Sequence, residues 1–162
     1  MSEKLAVLFP GVGYHVDRPL LYHSAKLARE RGYEVCAVSY PPLPTGLRGK
    51  PERIQQAIEL CSRAASEQLS GIAPDQHKQL LFISKSLGTA VAAVCAARFS
   101  LSPQQVYYTP VENSFAYFRR EGLVFHGAGR SLMLTVPVER AIDTDDAAVE
   151  LGTESEAPVV VD

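Results

Sequence analysis

The chain has 162 residues and a net charge of −2, with basic and acidic side chains interleaved over most of its length. That size fits one domain with a three-layer core, and the lack of a basic stripe argues against a nucleic-acid partner. Leu5–Phe9, the only apolar run near the start, is cut off by Pro10 and Gly11; it is too short for a membrane span or a signal peptide, so the expectation is a soluble, cytoplasmic protein with no membrane partner.

Lys4 to Phe9 reads as a buried strand, followed by the loop Pro10-Gly11-Val12-Gly13-Tyr14. The spacing then predicts a helix from Pro19 to about Arg31, with Leu20, Leu21, Ala25, Leu27 and Ala28 in one stripe, Asp17 as N-cap and Gly32 as the stop. Glu34 to Tyr40 returns as a strand, and Pro41, Pro42, Pro44 and Gly46 enforce a non-helical connection. A second amphipathic helix runs from Pro51 to about Leu69, with Ile54, Ile58, Cys61 and Ala65 on its inner face. Leu80 to Ser84 is the next strand. The helix after it, through Ala97, is so rich in alanine and valine that it must be buried against the sheet. Gln105–Thr109 and Gly122–His126 read as two further strands, with a short helix over Asn113–Arg120 between them.

Strands alternating with helices predict a parallel sheet covered on both faces, because each right-handed crossover returns the chain in the same direction. The expected fold class is α/β, a three-layer, doubly wound, mostly parallel sheet, in which ligands bind beyond the carboxyl ends of the strands. The loops after Phe9, Ser84, Thr109 and His126 then form the functional rim. Cys36, Cys61 and Cys95 fall at irregular spacing with no Cys-x-x-Cys pair, which predicts buried, reduced thiols and no metal site.

The stretch Leu80-Leu81-Phe82-Ile83-Ser84-Lys85-Ser86-Leu87-Gly88-Thr89 carries the chemistry. It is a strand ending in small residues at the start of a helix, with Ser86 at the apex, and it matches G-x-S-x-G with Ser84 in place of the first glycine. A tight turn there lifts the hydroxyl off the sheet edge, and the helix aims its positive end at an oxyanion. An ordinary strand-to-helix turn is the competing reading. Gly11-Val12-Gly13 is too short for a dinucleotide fingerprint, which needs a third glycine where Val16 stands and an acidic residue near Tyr40; no cofactor is expected. The same glycines let the amide near Val12 approach a reacting carbonyl. With the amide of Leu87 it forms a candidate two-donor oxyanion hole.

The strings LFPGVGY, DRPLLYHSAKLARERGYEV, LFISKSLGTAVAA, a TP turn and LVFHG, in that order, resemble the small alpha/beta-hydrolase-like proteins of bacteria over Leu5 to about Gly127. The resemblance implies a Ser nucleophile at Ser86, followed in the chain by an Asp or Glu and then a His. Beyond Gly127 the family pattern of an Asp loop, another strand and a triad His is missing, and no histidine follows His126. The charge balance also changes. Residues up to Gly127 carry 14 basic and 10 acidic side chains, and Ala128–Asp162 carry 2 and 8. The expected organisation is therefore a hydrolase-like core over residues 1–127 and an irregular acidic tail over 128–162, produced by truncation, divergence or a shift of reading frame near Gly127. Translating the other two frames past codon 127 tests the frame shift, which fails if neither encodes an Asp loop and a later His.

No visible residue completes the triad. His126 ends a strand two positions from the elbow strand, about 10 Å away at about 4.8 Å per strand, beyond direct hydrogen bonding. His15 overhangs the rim beside Gly11, Gly13 and Tyr14. His23 belongs to helix packing or surface, and His77 lies at the amino end of the elbow strand. Glu112 is the candidate acid, with an N-terminal helix charge before Asn113 as its structural reading. Lys85 points away from Ser86, toward solvent or a rim ion pair. The function expected is hydrolysis of a small-molecule ester, thioester or amide, impaired by the missing residues; a non-catalytic fold binding a ligand or protein is the rival. An incomplete sheet also leaves an apolar edge for a homodimer, and a clean monomer by light scattering counts against that.

Overall fold

The computed structural model describes residues 2–111, apart from Arg48, and the strand Met133–Leu134. In chain order the elements are β1 (Lys4–Phe9), α1 (Pro19–Glu30), β2 (Glu34–Ala37), α2 (Pro51–Ile72), a 3-10 turn (Pro74–Gln76), β3 (Gln79–Lys85), α3 (Leu87–Arg98), β4 (Gln104–Tyr108) and β5 (Met133–Leu134). The sheet order is β2-β1-β3-β4-β5. The first four strands are parallel, and β5 is antiparallel to β4. The class is α/β.

Alternation along the strands divides the core into two. Leu5, Val7, Phe9 and Phe82 face α2 and α3, where they meet Ile58, Cys61, Ala65 and Val91. Leu8 and Ile83 face Leu21 and Ala25 of α1. Helices therefore cover both faces. The Phe9 and Phe82 rings pack at 4.9 Å between centroids. Every residue of α3 from Leu87 to Ala93 is buried, as its alanine-rich sequence requires: small side chains let the helix settle close to the sheet while packed by α2.

Several expectations need correction. Only Leu21, Ala25 and Ala28 of the predicted α1 stripe are buried; Leu20 and Leu27 are exposed, because the face turned to the sheet is narrower than the apolar stripe. Asp17 does not cap α1. The N-cap is Arg18, which makes no side-chain cap bond, and the Leu20 amide instead donates to the Tyr14 hydroxyl at 3.1 Å. The second strand ends at Ala37 rather than Tyr40: its ladder with β1 closes at Leu8↔Ala37, with one further bond from the Val38 amide to the Leu8 carbonyl. Helix α2 continues to Ile72, where Ala73 turns left-handed at φ 46 and Pro74 follows.

The cysteines are free; Cys61 and Cys95 are buried and Cys36 is half-buried. Burial pushes each thiol up to about 11, which leaves them protonated and unreactive at neutral pH. No helix among the described residues is long and apolar enough to cross a membrane. The predicted helix 113–120 and strand 122–126 lie outside the described residues.

Candidate active site at the carboxyl ends of the strands

Strand β3 passes into α3 through Ser86 alone, which stands at φ 54 and ψ −123. That is the conformation of the first central residue of a type II′ turn, usually reserved for glycine. In an L-residue it costs on the order of 1–3 kcal/mol and persists only where the surroundings enforce it. Here they do. The Ser86 amide donates to the Tyr108 carbonyl at 2.9 Å, and the Ser86 carbonyl accepts from the Thr89 amide at 2.9 Å and from the Thr89 hydroxyl at 2.6 Å.

Close packing completes the elbow. A Cβ on Gly88 would lie 2.2 Å from the Phe9 carbonyl oxygen and 2.4 Å from that of Pro10, so the first turn of α3 rests directly on the backbone leaving β1. Ser84, in the position of the first motif glycine, is fully buried. Its hydroxyl donates to the Val106 carbonyl at 3.2 Å, which explains how a polar side chain replaces glycine there without an unsatisfied group.

The loop after β1 closes on the same point. Gly11 and Tyr14 exchange backbone bonds, Gly11 N–H to the Tyr14 carbonyl at 3.2 Å and the reverse at 3.3 Å, with Gly13 left-handed at φ 64. A Cβ on Gly11 would stand 3.0 Å from Ser86 Cβ and 2.9 Å from the Lys85 carbonyl oxygen. The turn carrying Val12 thus abuts the turn carrying Ser86. Leu87 and Gly88 open α3, so their amides have no acceptor inside the helix, and the positive end of the helix faces the rim. The Val12 side chain is exposed.

The histidines do not gather around this point. His15 is exposed, its carbonyl accepting the Arg18 amide. His23 is exposed and packs edge-on to Tyr22. His77 is buried at the amino end of β3, with Nδ1 2.7 Å from the Ser2 carbonyl. Among the described residues, no histidine or carboxylate hydrogen-bonds Ser86, and no three His, Cys, Asp or Glu side chains converge as a metal site. Glu112 and His126 lie outside the described residues.

Lys85 is half-buried and makes no ion pair with a described residue. Its ammonium sits over the Tyr14 ring, 4.9 Å from the centroid, and donates to the Thr109 hydroxyl. Burial lowers its pKa. Thr109 is the residue that sequence reasoning left without a role. It is left-handed at φ 42, an outlier for a β-branched residue; its one sequence signal is the following Pro110, which disfavours a helical conformation there.

The chain matches no family model and no curated protein. Substituting Ser86 by glycine is expected to raise stability by about 1 kcal/mol, the relieved strain less the roughly 0.5–1 kcal/mol entropic penalty of glycine. Ser86→Ala, which keeps the strain, is expected to leave the urea midpoint near that of the parent.

Proposed function

We propose that this chain is a serine hydrolase of the alpha/beta-hydrolase type, with a doubly wound hydrolase-like fold, acting on an ester, thioester or amide of a small molecule. Ser86 is the nucleophile. Its Oγ adds to the carbonyl carbon as the hydroxyl proton passes to water, and the oxyanion is held by the amides of Val12 and Leu87. Collapse breaks the bond to the leaving heteroatom, which takes a proton from water and departs as alcohol, thiol or amine, leaving an acyl-Ser86 ester that water hydrolyses to the acid and free Ser86. The observation that carries this reading is the strained Ser86 backbone at a one-residue strand-to-helix junction, packed against the glycine turn of Gly11.

Strain of this kind clusters at functional sites because it presents a side chain that relaxed backbone would turn away. A generic turn needs no such conformation. The rival reading, a non-catalytic fold binding a small ligand or a protein through the same rim, is favoured by one observation: no base among the described residues reaches Ser86. Where the activating base is absent, oxyanion donors and binding still leave about 10³–10⁴-fold acceleration over water. A slow enzyme is the expectation. A fluorophosphonate probe separates the two: covalent labelling that disappears in Ser86→Ala supports the hydrolase, and a folded sample that stays unlabelled supports the binding module.

A further inference from the structure

The ammonium of Lys85 is set into the same rim as Ser86. By strand alternation its side chain leaves β3 on the face of Ile83, the α1 side, and it ends between the loops that follow β1 and β4. Both loops touch the elbow. Tyr14, under the ammonium, closes the turn whose Gly11 abuts Ser86; Thr109, which accepts from Lys85, follows Tyr108, whose carbonyl accepts the Ser86 amide.

An aromatic face and a hydroxyl are neutral partners. They orient an ammonium without balancing its charge, and among the described residues no carboxylate pairs with Lys85; the ion pair there is Lys78 with Glu3, at the opposite end of the strands. Burial accordingly lowers the Lys85 pKa, the signature of a cation whose lost hydration is not fully replaced. A residue serving only as a strut between two loops needs no charge; leucine or methionine in its place avoids the desolvation cost. The Thr109 hydroxyl, having accepted from Lys85, keeps its own hydrogen to donate. One ammonium and one hydroxyl side by side match a carboxylate, a monoanion. A phosphate dianion calls for more cations or an arginine fork.

We propose that Lys85 and Thr109 form a recognition site for a carboxylate carried by the substrate, so that the acyl compound Ser86 attacks is acidic, such as a half-ester of a short dicarboxylic acid. The proposal rests on the hydrolase reading for its use of Ser86, but the anion site itself is readable without catalysis. Monomethyl succinate and its neutral counterpart methyl butyrate are titrated calorimetrically into the full-length Ser86→Ala chain. The anion is expected to bind at least about tenfold more tightly, the worth of a hydrogen bond to a charged group. Adding Lys85→Met is expected to erase that preference, and adding Lys85→Arg to retain part of it.

Equal affinity for the two ligands overturns the proposal, and so does a preference that survives Lys85→Met in a protein of native circular dichroism. Should the Lys85 variants fail to fold, the ionic strength decides: a preference that fades with added salt supports the site, and a salt-independent one overturns it. Fluorophosphonate labelling of the parent chain reports separately on Ser86, so failure of the hydrolase reading and failure of the anion site appear in different measurements.

Discussion

Gly88→Ala is expected to destabilise the protein by about 3–5 kcal/mol, the range of severe core overpacking, or to prevent folding. Helix propensity points the other way, since alanine is better than glycine by up to about 1 kcal/mol in a helix. The clash wins. The added Cβ would lie 2.2 Å from the Phe9 carbonyl oxygen, 2.4 Å from the Pro10 oxygen and 2.8 Å from the Phe9 carbonyl carbon. All three are backbone atoms at the carboxyl end of β1, a strand with neighbours on both sides, so relief requires lifting α3 from the sheet and opening the largest part of the core. Against a typical total of about 5–15 kcal/mol, that is a large share. Gly71→Ala is the control. Gly71 lies in α2 with nothing within 4 Å of the new Cβ, and the same substitution there is expected to gain about 0.5 kcal/mol. Urea midpoints of the two variants should therefore move in opposite directions.

Gly11→Val is expected to slow fluorophosphonate labelling of Ser86 by about 100-fold, the loss that follows removal of one oxyanion donor. Gly11 does not have a left-handed backbone, so the penalty is steric: any Cβ meets Ser86 Cβ at 3.0 Å and the Lys85 carbonyl at 2.9 Å. The turn must retreat from the elbow and take the Val12 amide with it. Gly13→Ala makes the opposite case. Nothing lies within 4 Å of its Cβ but φ is +64, so it is expected to cost about 1 kcal/mol of stability and leave the labelling rate within severalfold. Labelling slowed equally in both variants would mean that contact with the elbow is irrelevant.

The parts of the fold that were legible in the sequence are those set by local chemistry. Lys4–Phe9 is apolar and stopped by Pro-Gly, and it is the strand expected; Pro19, Pro51 and the run after Ser86 place the helix starts where they occur. The strand-to-helix turn at Ser86 was legible because small residues interrupt an apolar run and an alanine-rich helical pattern follows. What escaped depends on partners distant in sequence. β2 stops at Ala37, where its ladder with β1 closes, short of the end of its apolar run. The Tyr14 hydroxyl caps α1 in a position where side-chain chemistry singles out Asp17. Lys85 and Thr109 are 24 residues apart and meet only because β3 and β4 are in register from Leu81↔Gln104 to Lys85↔Tyr108. Met133–Leu134 sit in the apolar run Leu132–Val136, which the sequence reading assigned to an irregular tail, and their pairing with Tyr107 and Tyr108 joins residues far apart in the chain.

As the proposed nucleophile, the strained Ser86 hydroxyl is expected to attack acyl carbon and phosphonyl phosphorus. Intact-mass spectrometry of the full chain after incubation with a fluorophosphonate tests it directly. A single adduct is expected, mapped by peptide sequencing to Ser86 and absent from Ser86→Ala. A folded chain that gains no adduct, or one whose adduct persists in Ser86→Ala, would contradict it.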